Sequence, residues 1–275
     1  MPLVLRIQTD TTIPIEVDSV RLETVRTMPP GEVSRILVQH GNRQEELGQF
    51  FSASGSAGDD NELVWEGDCS RVKLIGDHLS EGRIRVEGNA GMHLGAEMTG
   101  GEIIVSGNAA DWVGAEMHGG RIHVRGNAGH LVGAVYRGGR RGMTGGIILV
   151  DGNVGNEVGH TMRRGVIAVG GNAGDAIGFN MIAGTVLVFG EMGIRPGAGM
   201  RRGTIGLLGN HKHPDMLPTF RAAGLEQPSF LHFYLHELRR NGFDVPDDCF
   251  TASYRRFCGD MLEMGKGEIL VREAA

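Results

Sequence analysis

GRIRVEGNAGMHLGAEMTGGEIIVSGN, residues 82–108, holds one full unit of a pattern and the start of the next. Its Gly88-Asn89 pair recurs at Gly107-Asn108, Gly126-Asn127, Gly152-Asn153, Gly171-Asn172 and Gly209-Asn210. A degenerate copy, Gly190-Glu191, stands before the last. The steps are 19 residues except for one of 26, so one unit carries a seven-residue insertion. A period of this size marks a repeat architecture, in which no unit buries its apolar side alone.

Aligning the units gives columns. One reads Ile84, Ile103, Ile122, Ile148, Ile167, Val186, Ile205. Two residues on, a second reads Val86, Val105, Val124, Val150, Val169, Val188, Leu207. The column between them, Arg85, Ile104, His123, Leu149, Ala168, Leu187, Gly206, obeys no such restriction. Branched aliphatics at a spacing of two are the buried face of a short strand. Leu94, Val113, Val132, Val158 and Ile177 form a third apolar column, and Met98, Met117, Met162, Met181 and Met200 a fourth. Glycine columns, beginning at Gly95 and at Gly101, separate them and read as corners, because glycine accepts positive φ and close backbone approach. The asparagines read as structural: Asn tolerates left-handed backbone, and stacked Asn side chains hydrogen-bond along a ladder.

The expected fold is all-β, a right-handed parallel β-helix built as a single-stranded solenoid of about 19 residues per coil, with coils about 4.8 Å apart. A leucine-rich repeat needs a helix in units that hold too much glycine for one. A left-handed hexapeptide helix needs an apolar period of six. Residues 1–68 read as N-terminal strands, Val4–Ile7, Ile13–Val17 and Ile36–Gln39, followed by an irregular first coil from Leu47. Within that segment Ser52–Asn61 reads as a loop. Residues 69–210 are the repeats. Residues 211–275 form a C-terminal tail, with a helix over Ser229–Arg240 stopped by Gly242 and a closing strand over Glu268–Val271. Solenoid ends need atypical sequence, so both flanks read as caps on the rod, with the helical tail equally suited to be a docking element.

A net charge of −6 and a pI near 6.0 argue against nucleic acid or an anionic membrane surface as partner. No apolar run reaches the length of a membrane span, and the start lacks the apolar core of a signal peptide. Cys69, Cys249 and Cys258 are few and not in CxxC spacing, which points to a reducing cytoplasm without disulfides or a zinc knot.

Chemistry is scarce along the chain. His118, His123 and His130 fall in one unit but in different columns. His232 and His236 share a helix face without a third ligand, and His211 and His213 sit in a turn beside Pro214. Glu97 and Glu116 are neighbours in one column, a pairing that can serve acid–base work, yet later units carry Thr161, Asn180 and Gly199 there. The glycine strings have neither a P-loop lysine nor a strand-to-helix context. No catalytic residue, metal site or bound cofactor is identified. The stronger candidate is the insertion, VYRGGRRG at 135–142, which projects Arg137, Arg140 and Arg141. Arg163, Arg164, Arg201 and Arg202 occupy equivalent corners, so by register the seven form a basic strip suited to carboxylates of an acidic partner.

The repeat GNAGxxLGAEMxGG together with the tail YRRFCGDMLEMGKGEIL, Tyr254 to Leu270, resembles the C-subunit family of formylmethanofuran dehydrogenase. The likeness is strongest to the bacterial branch of that family, in the formyltransferase/hydrolase complex of methylotrophs. The repeats alone are also similar to the GXGXG domain of glutamate synthase, which does not share the tail. The resemblance implies a noncatalytic scaffold in a cytoplasmic hetero-oligomer. Its partners would be a formyltransferase subunit, an amidohydrolase subunit and a further dehydrogenase-like subunit. Together they would convert formyl-tetrahydromethanopterin to formate through a methanofuran-type carrier, whose glutamate-rich tail the basic strip would suit. The alternatives are the C subunit of a molybdenum or tungsten formylmethanofuran dehydrogenase, or a stand-alone glutamate synthase-type domain.

Overall fold

The computed structural model describes residues 1–209 and 215–273. Repeated strands dominate it. Ahead of the repeats lie β1 (Leu3–Ile7), β2 (Ile15–Glu16), β3 (Leu37–His40), β4 (Arg43–Glu46), β5 (Phe51–Ser54), β6 (Glu62–Glu66) and β7 (Val72–Lys73). The repeats supply β8 (Arg83–Glu87), β9 (Glu102–Val105), β10 (Arg121–Val124), β11 (Ile147–Val150), β12 (Val166–Val169), β13 (Thr185–Val188) and β14 (Arg202–Leu207). Last come β15 (Arg221–Glu226), β16 (Tyr254–Gly259) and β17 (Lys266–Arg272). The helices are α1 (Leu22–Val25), α2 (Pro30–Val33) and α3 (Ser229–Arg240).

Strands β8 to β14 run parallel in sequence order within one large sheet. Their register stacks like on like: Ile84 on Ile103, Ile103 on Ile122, Ile122 on Ile148 and Ile148 on Ile167. That register follows from the columns, since a slip of one residue would turn every aliphatic side chain outward. Away from the sheet, isolated parallel bridges stack Cys69, Ala90, Ala109 and Ala128, and after the insertion Val154, Ala173 and Met192. All four apolar columns are buried to within 1% exposure.

Glycine makes the corners. Gly95, Gly114, Gly133, Gly159, Gly178 and Gly197 have φ between 62° and 72°. A Cβ at Gly95 would meet Ile122 Cδ1 at 2.6 Å. The asparagine ladder is present, but the ladder residues are not left-handed. Each Asn side-chain oxygen instead accepts the backbone N–H of the next asparagine along: Asn89 from Asn108 at 2.9 Å, then Asn108 from Asn127, Asn127 from Asn153 and Asn153 from Asn172, all at 2.8 Å. The left-handed non-glycine positions belong to other columns, one through His93, Trp112, Leu131 and Glu157, another through Glu97, Glu116, Thr161 and Asn180.

The ends extend the sheet. At one, β6 and β1 continue it in parallel and β5 closes it antiparallel. The predicted loop over Ser52–Asn61 therefore starts later, because β5 pairs with β1 as far as Ser54. At the other end β17 adds parallel to β14, and β16 and β15 follow antiparallel. Helix α3 packs on a face of the sheet. Its Leu231, Leu235 and Leu238 join Leu149, Ala168 and Leu187 in a second core on the outer face of β11 to β13. The middle column is thus restricted after all. Arg85 and Ile104 stay partly exposed, whereas Leu149, Ala168 and Leu187 are fully buried under the helix.

Candidate functional site

The segment 135–142, which contains the seven-residue insertion, leaves the stacked units after Ala134 and rejoins them at Met143, whose side chain is fully buried like those of the methionine column. Its base is stitched down by backbone bonds, Met143 N–H to Gly133 C=O at 2.9 Å and Gly142 N–H to Thr161 C=O at 3.0 Å. Glu116 holds its rising arm, with Oε1 accepting the Tyr136 N–H at 2.9 Å. A Cβ at Gly139 would sit 2.5 Å from Glu116 Oε1, so a side chain there would have to push that carboxylate aside. The Tyr136 ring stacks on Trp112 at 5.1 Å, and its hydroxyl lies 3.0 Å from His93 Nδ1. Burial, aided by nearby carboxylates, pushes the Tyr136 phenol well above its ordinary range. Burial also holds His93 below its usual value, so this aromatic brace is neutral at pH 7.

On one side of the insertion is a groove of about 590 Å³ lined by Arg140, Arg141, Arg163, Arg164, Glu116, His118 and Thr144. None of the four arginines forms an ion pair with a described residue. The one carboxylate in the groove, Glu116, is already engaged by Tyr136. His118 Nδ1 lies 2.7 Å from Thr144 Oγ1. The groove is therefore a concentration of guanidinium groups on a chain whose net charge is −6. Such forks match carboxylate or phosphate oxygens in pairs.

Not all seven arginines gather there. Arg137 turns to the other side of the insertion, into a cleft of about 500 Å³ with Trp112, Tyr136, Glu157 and His160. Arg201 is tied to Glu263 at 3.4 Å, and Arg202 lies at the start of β14; neither lines the groove. Register puts the arginines on equivalent corners, but the insertion wall separates Arg137 from the others.

The remaining candidates disperse. His130 Nδ1 accepts the Asn156 N–H at 2.9 Å, while His232 and His236 lie against the Phe250 ring. His211 and His213 fall outside the described residues. Glu97 is 3.9 Å from His78 and Glu116 accepts the Tyr136 N–H, so each carboxylate has a partner of its own. Burial pushes the Cys69 thiol up to about 12 and Cys249 up to about 11, which makes both poor nucleophiles.

One cluster escapes a reading of the sequence alone. His123, 1% exposed, places Nε2 2.7 Å from Asp151 Oδ1, and Arg125 bonds the second oxygen of Asp151 at 3.2 Å. Arg125 also donates to Gly242 C=O at 3.3 Å, and Arg121 to Asn241 C=O at 2.9 Å, just past the end of α3. Cations suit that carbonyl-rich terminus, so the cluster is an anchor for the C-terminal arm. Its signal is the change of the middle column from Arg85 to Leu149, which marks where an element covers the sheet.

Comparison with known proteins agrees with this architecture. The family model described as GXGXG motif matches residues 69–217, more than half of the chain, and the chain belongs to that family. More particularly, it is homologous to the C subunits of formylmethanofuran dehydrogenases. The C subunit of the molybdenum-containing formylmethanofuran dehydrogenase 1 of Methanothermobacter marburgensis is 42% identical over 95 residues, 34% of this chain and 24% of that protein. The C subunit of the tungsten-containing formylmethanofuran dehydrogenase 2 of Methanococcus maripaludis is 35% identical over 92 residues, 34% of each chain. The matches thus span about a quarter to a third of these relatives' length. One chain of the X-ray crystal structure of the formyltransferase/hydrolase complex (FhcABCD) from Methylorubrum extorquens, in complex with methylofuran, superposes with a TM-score of 0.90. It is 31% identical, and the match covers 98% of this chain and 100% of that one. The molybdenum and tungsten in those names belong to those enzymes. Among the described residues here, no group of three or more His, Cys, Asp or Glu side chains converges to hold a metal. No helix among them is long and apolar enough to cross a membrane.

Proposed function

We propose that this chain is the noncatalytic scaffold subunit of a cytoplasmic formyltransferase/hydrolase complex, and that its stacked units form a right-handed parallel β-helix. Residues 69–210 act in this reading as the rod, with residues 1–68 and 211–275 as its adapted ends. The observation that carries it is the full-length likeness to one chain of such a complex, flanks included. The rod holds a formyltransferase and an amidohydrolase subunit, beside a further dehydrogenase-like subunit, so that a methanofuran-type carrier passes the formyl group between them. The groove of Arg140, Arg141, Arg163 and Arg164 receives carboxylates, either of the carrier tail or of a partner subunit. Arg137, Arg201 and Arg202 extend the basic surface without entering that groove.

The test is a quadruple Arg140→Ser, Arg141→Ser, Arg163→Ser, Arg164→Ser variant purified with its partners. Weakened carrier or subunit binding with an unchanged melting temperature supports the assignment. Unchanged assembly together with unchanged carrier content would remove it. A dehydrogenase reading is kept as second, because the curated relatives named above are subunits of formylmethanofuran dehydrogenases. A molybdenum- or tungsten-containing partner in the purified assembly would favour it.

A further inference from the structure

The turn from Asp260 to Gly265 joins β16 to β17 at one end of the sheet. It displays three large apolar side chains to solvent: Met261 is 46% exposed, Leu262 81% and Met264 47%. Exposed apolar residues scattered singly need no explanation, but three in one turn do. The turn is also held firmly. Asp260 accepts the Leu262 N–H at 3.0 Å through one carboxylate oxygen and the Gly199 N–H at 3.1 Å through the other. The Asp260 C=O accepts the N–H groups of Glu263 and Gly265, and Met261 N–H bonds Thr219 C=O at 3.1 Å. Arg201 pairs with Glu263 at 3.4 Å across the gap to the rod. A turn fixed in this way cannot fold its apolar side chains back onto the protein.

The ground behind the turn is charged. Arg202 on β14 and Lys266 on β17 are direct register partners, both exposed, and neither forms an ion pair with a described residue. Like charges side by side on adjacent strands repel, and no described carboxylate lies within ion-pair distance of either. An anion supplied from outside would offset the pair.

We propose that the Asp260–Gly265 turn is a docking knob for a different protein chain, one that offers an apolar pocket with an acidic rim. Leu262 fills the pocket, Met261 and Met264 line its mouth, and Arg202 with Lys266 meet the rim. Methionine suits the mouth because its flexible thioether adapts to irregular surfaces. A rigid, preformed apolar anchor is what a central interface residue needs, since little ordering entropy is left to lose on binding. Of the clefts on a second copy, the two beside the insertion carry arginines, which repel the Arg202–Lys266 collar.

The identity of the partner rests on the scaffold reading, and the experiment separates the two. The chain carrying a photo-crosslinking benzoylphenylalanine in place of Leu262 is co-expressed with the transferase and hydrolase subunits, irradiated and mapped by mass spectrometry. A Leu262→Glu variant and an Arg202→Ser, Lys266→Ser variant are titrated against the same subunits. The expected result is a cross-link to an apolar site flanked by Asp or Glu on one subunit. Leu262→Glu should weaken that subunit's binding about tenfold or more, without changing the melting of the isolated chain. The double variant should weaken it less and flatten its salt dependence. If the wild-type complex forms and Leu262→Glu binds with equal affinity, the knob is wrong and the scaffold reading survives. Cross-links confined to a second copy of this chain would overturn the choice of partner. Failure of the wild-type chain to assemble at all would remove both.

Discussion

A corner glycine and a surface glycine of this chain look alike in sequence and differ in what surrounds them. Gly95 combines φ of 63° with a neighbour, Ile122 Cδ1, that a Cβ would meet at 2.6 Å. Gly138, in the insertion, has φ of 86° and nothing within 4 Å. Gly95→Ala should therefore cost backbone strain plus core displacement, about 2–4 kcal/mol together. Gly138→Ala should cost the strain alone, about 1–2 kcal/mol. Paired denaturation curves check the order; equal losses would mean that the corners are not close-packed. At His123 the relevant quantity is a proton. Burial holds its imidazole below the ordinary value of 6.5, with Arg125 and Arg121 adding to the effect and Asp151 opposing it. The unfolded chain then binds a proton that the folded chain resists, so stability falls as pH drops through 6.5. His123→Leu should flatten that slope in melting temperatures taken between about pH 8 and pH 5. A slope identical to wild type would show that the imidazole is not held neutral. The aliphatic and glycine columns are legible in the sequence because identical residues recur at a fixed step. The His123–Asp151 contact is not, because its partners lie 28 residues apart across the single irregular unit.

Element by element, local pattern foretells existence better than placement. The 3.6-residue periodicity and Gly242 give α3 its ends, Ser229 and Arg240, but nothing within the helix says which surface it covers. That information sits in another column, where Leu149, Ala168 and Leu187 replace the earlier Arg85, and which taken by itself shows no restriction. Likewise the tail signature is visible as a string, yet β15 and the antiparallel pairing of β16 depend on contacts with β14 and β17 that no short-range rule supplies. Register alone gives one basic strip, and the insertion wall, braced by Glu116 and Tyr136, divides it. Leu235, fully buried at the centre of the helix–sheet contact, tests the arrangement. Leu235→Ala should cost about 2–5 kcal/mol and raise hydrogen exchange across Ser229–Arg240 while the strands β8 to β13 stay protected. Uniform loss of protection would instead make the arm and the rod one cooperative unit.

At the scale of the molecule, the stacked units present two unlike surfaces that the described residues leave unsatisfied, an arginine groove at the insertion and an apolar knob at the far end of the sheet. A chain that served only itself would gain nothing by keeping either. Both follow from the same division of labour: stacked units supply rigidity, and the departures from the repeat carry the recognition. The proposed scaffold role makes this chain a subunit without turnover of its own. It is tested most directly by gentle purification of the tagged protein from its native cells, with mass spectrometry of what accompanies it and an assay of formyl-tetrahydromethanopterin hydrolysis. A scaffold should bring transferase and amidohydrolase subunits with it, with activity residing in the assembly and disappearing when the chain is isolated. A solitary chain that turns over substrate unaided would contradict that role.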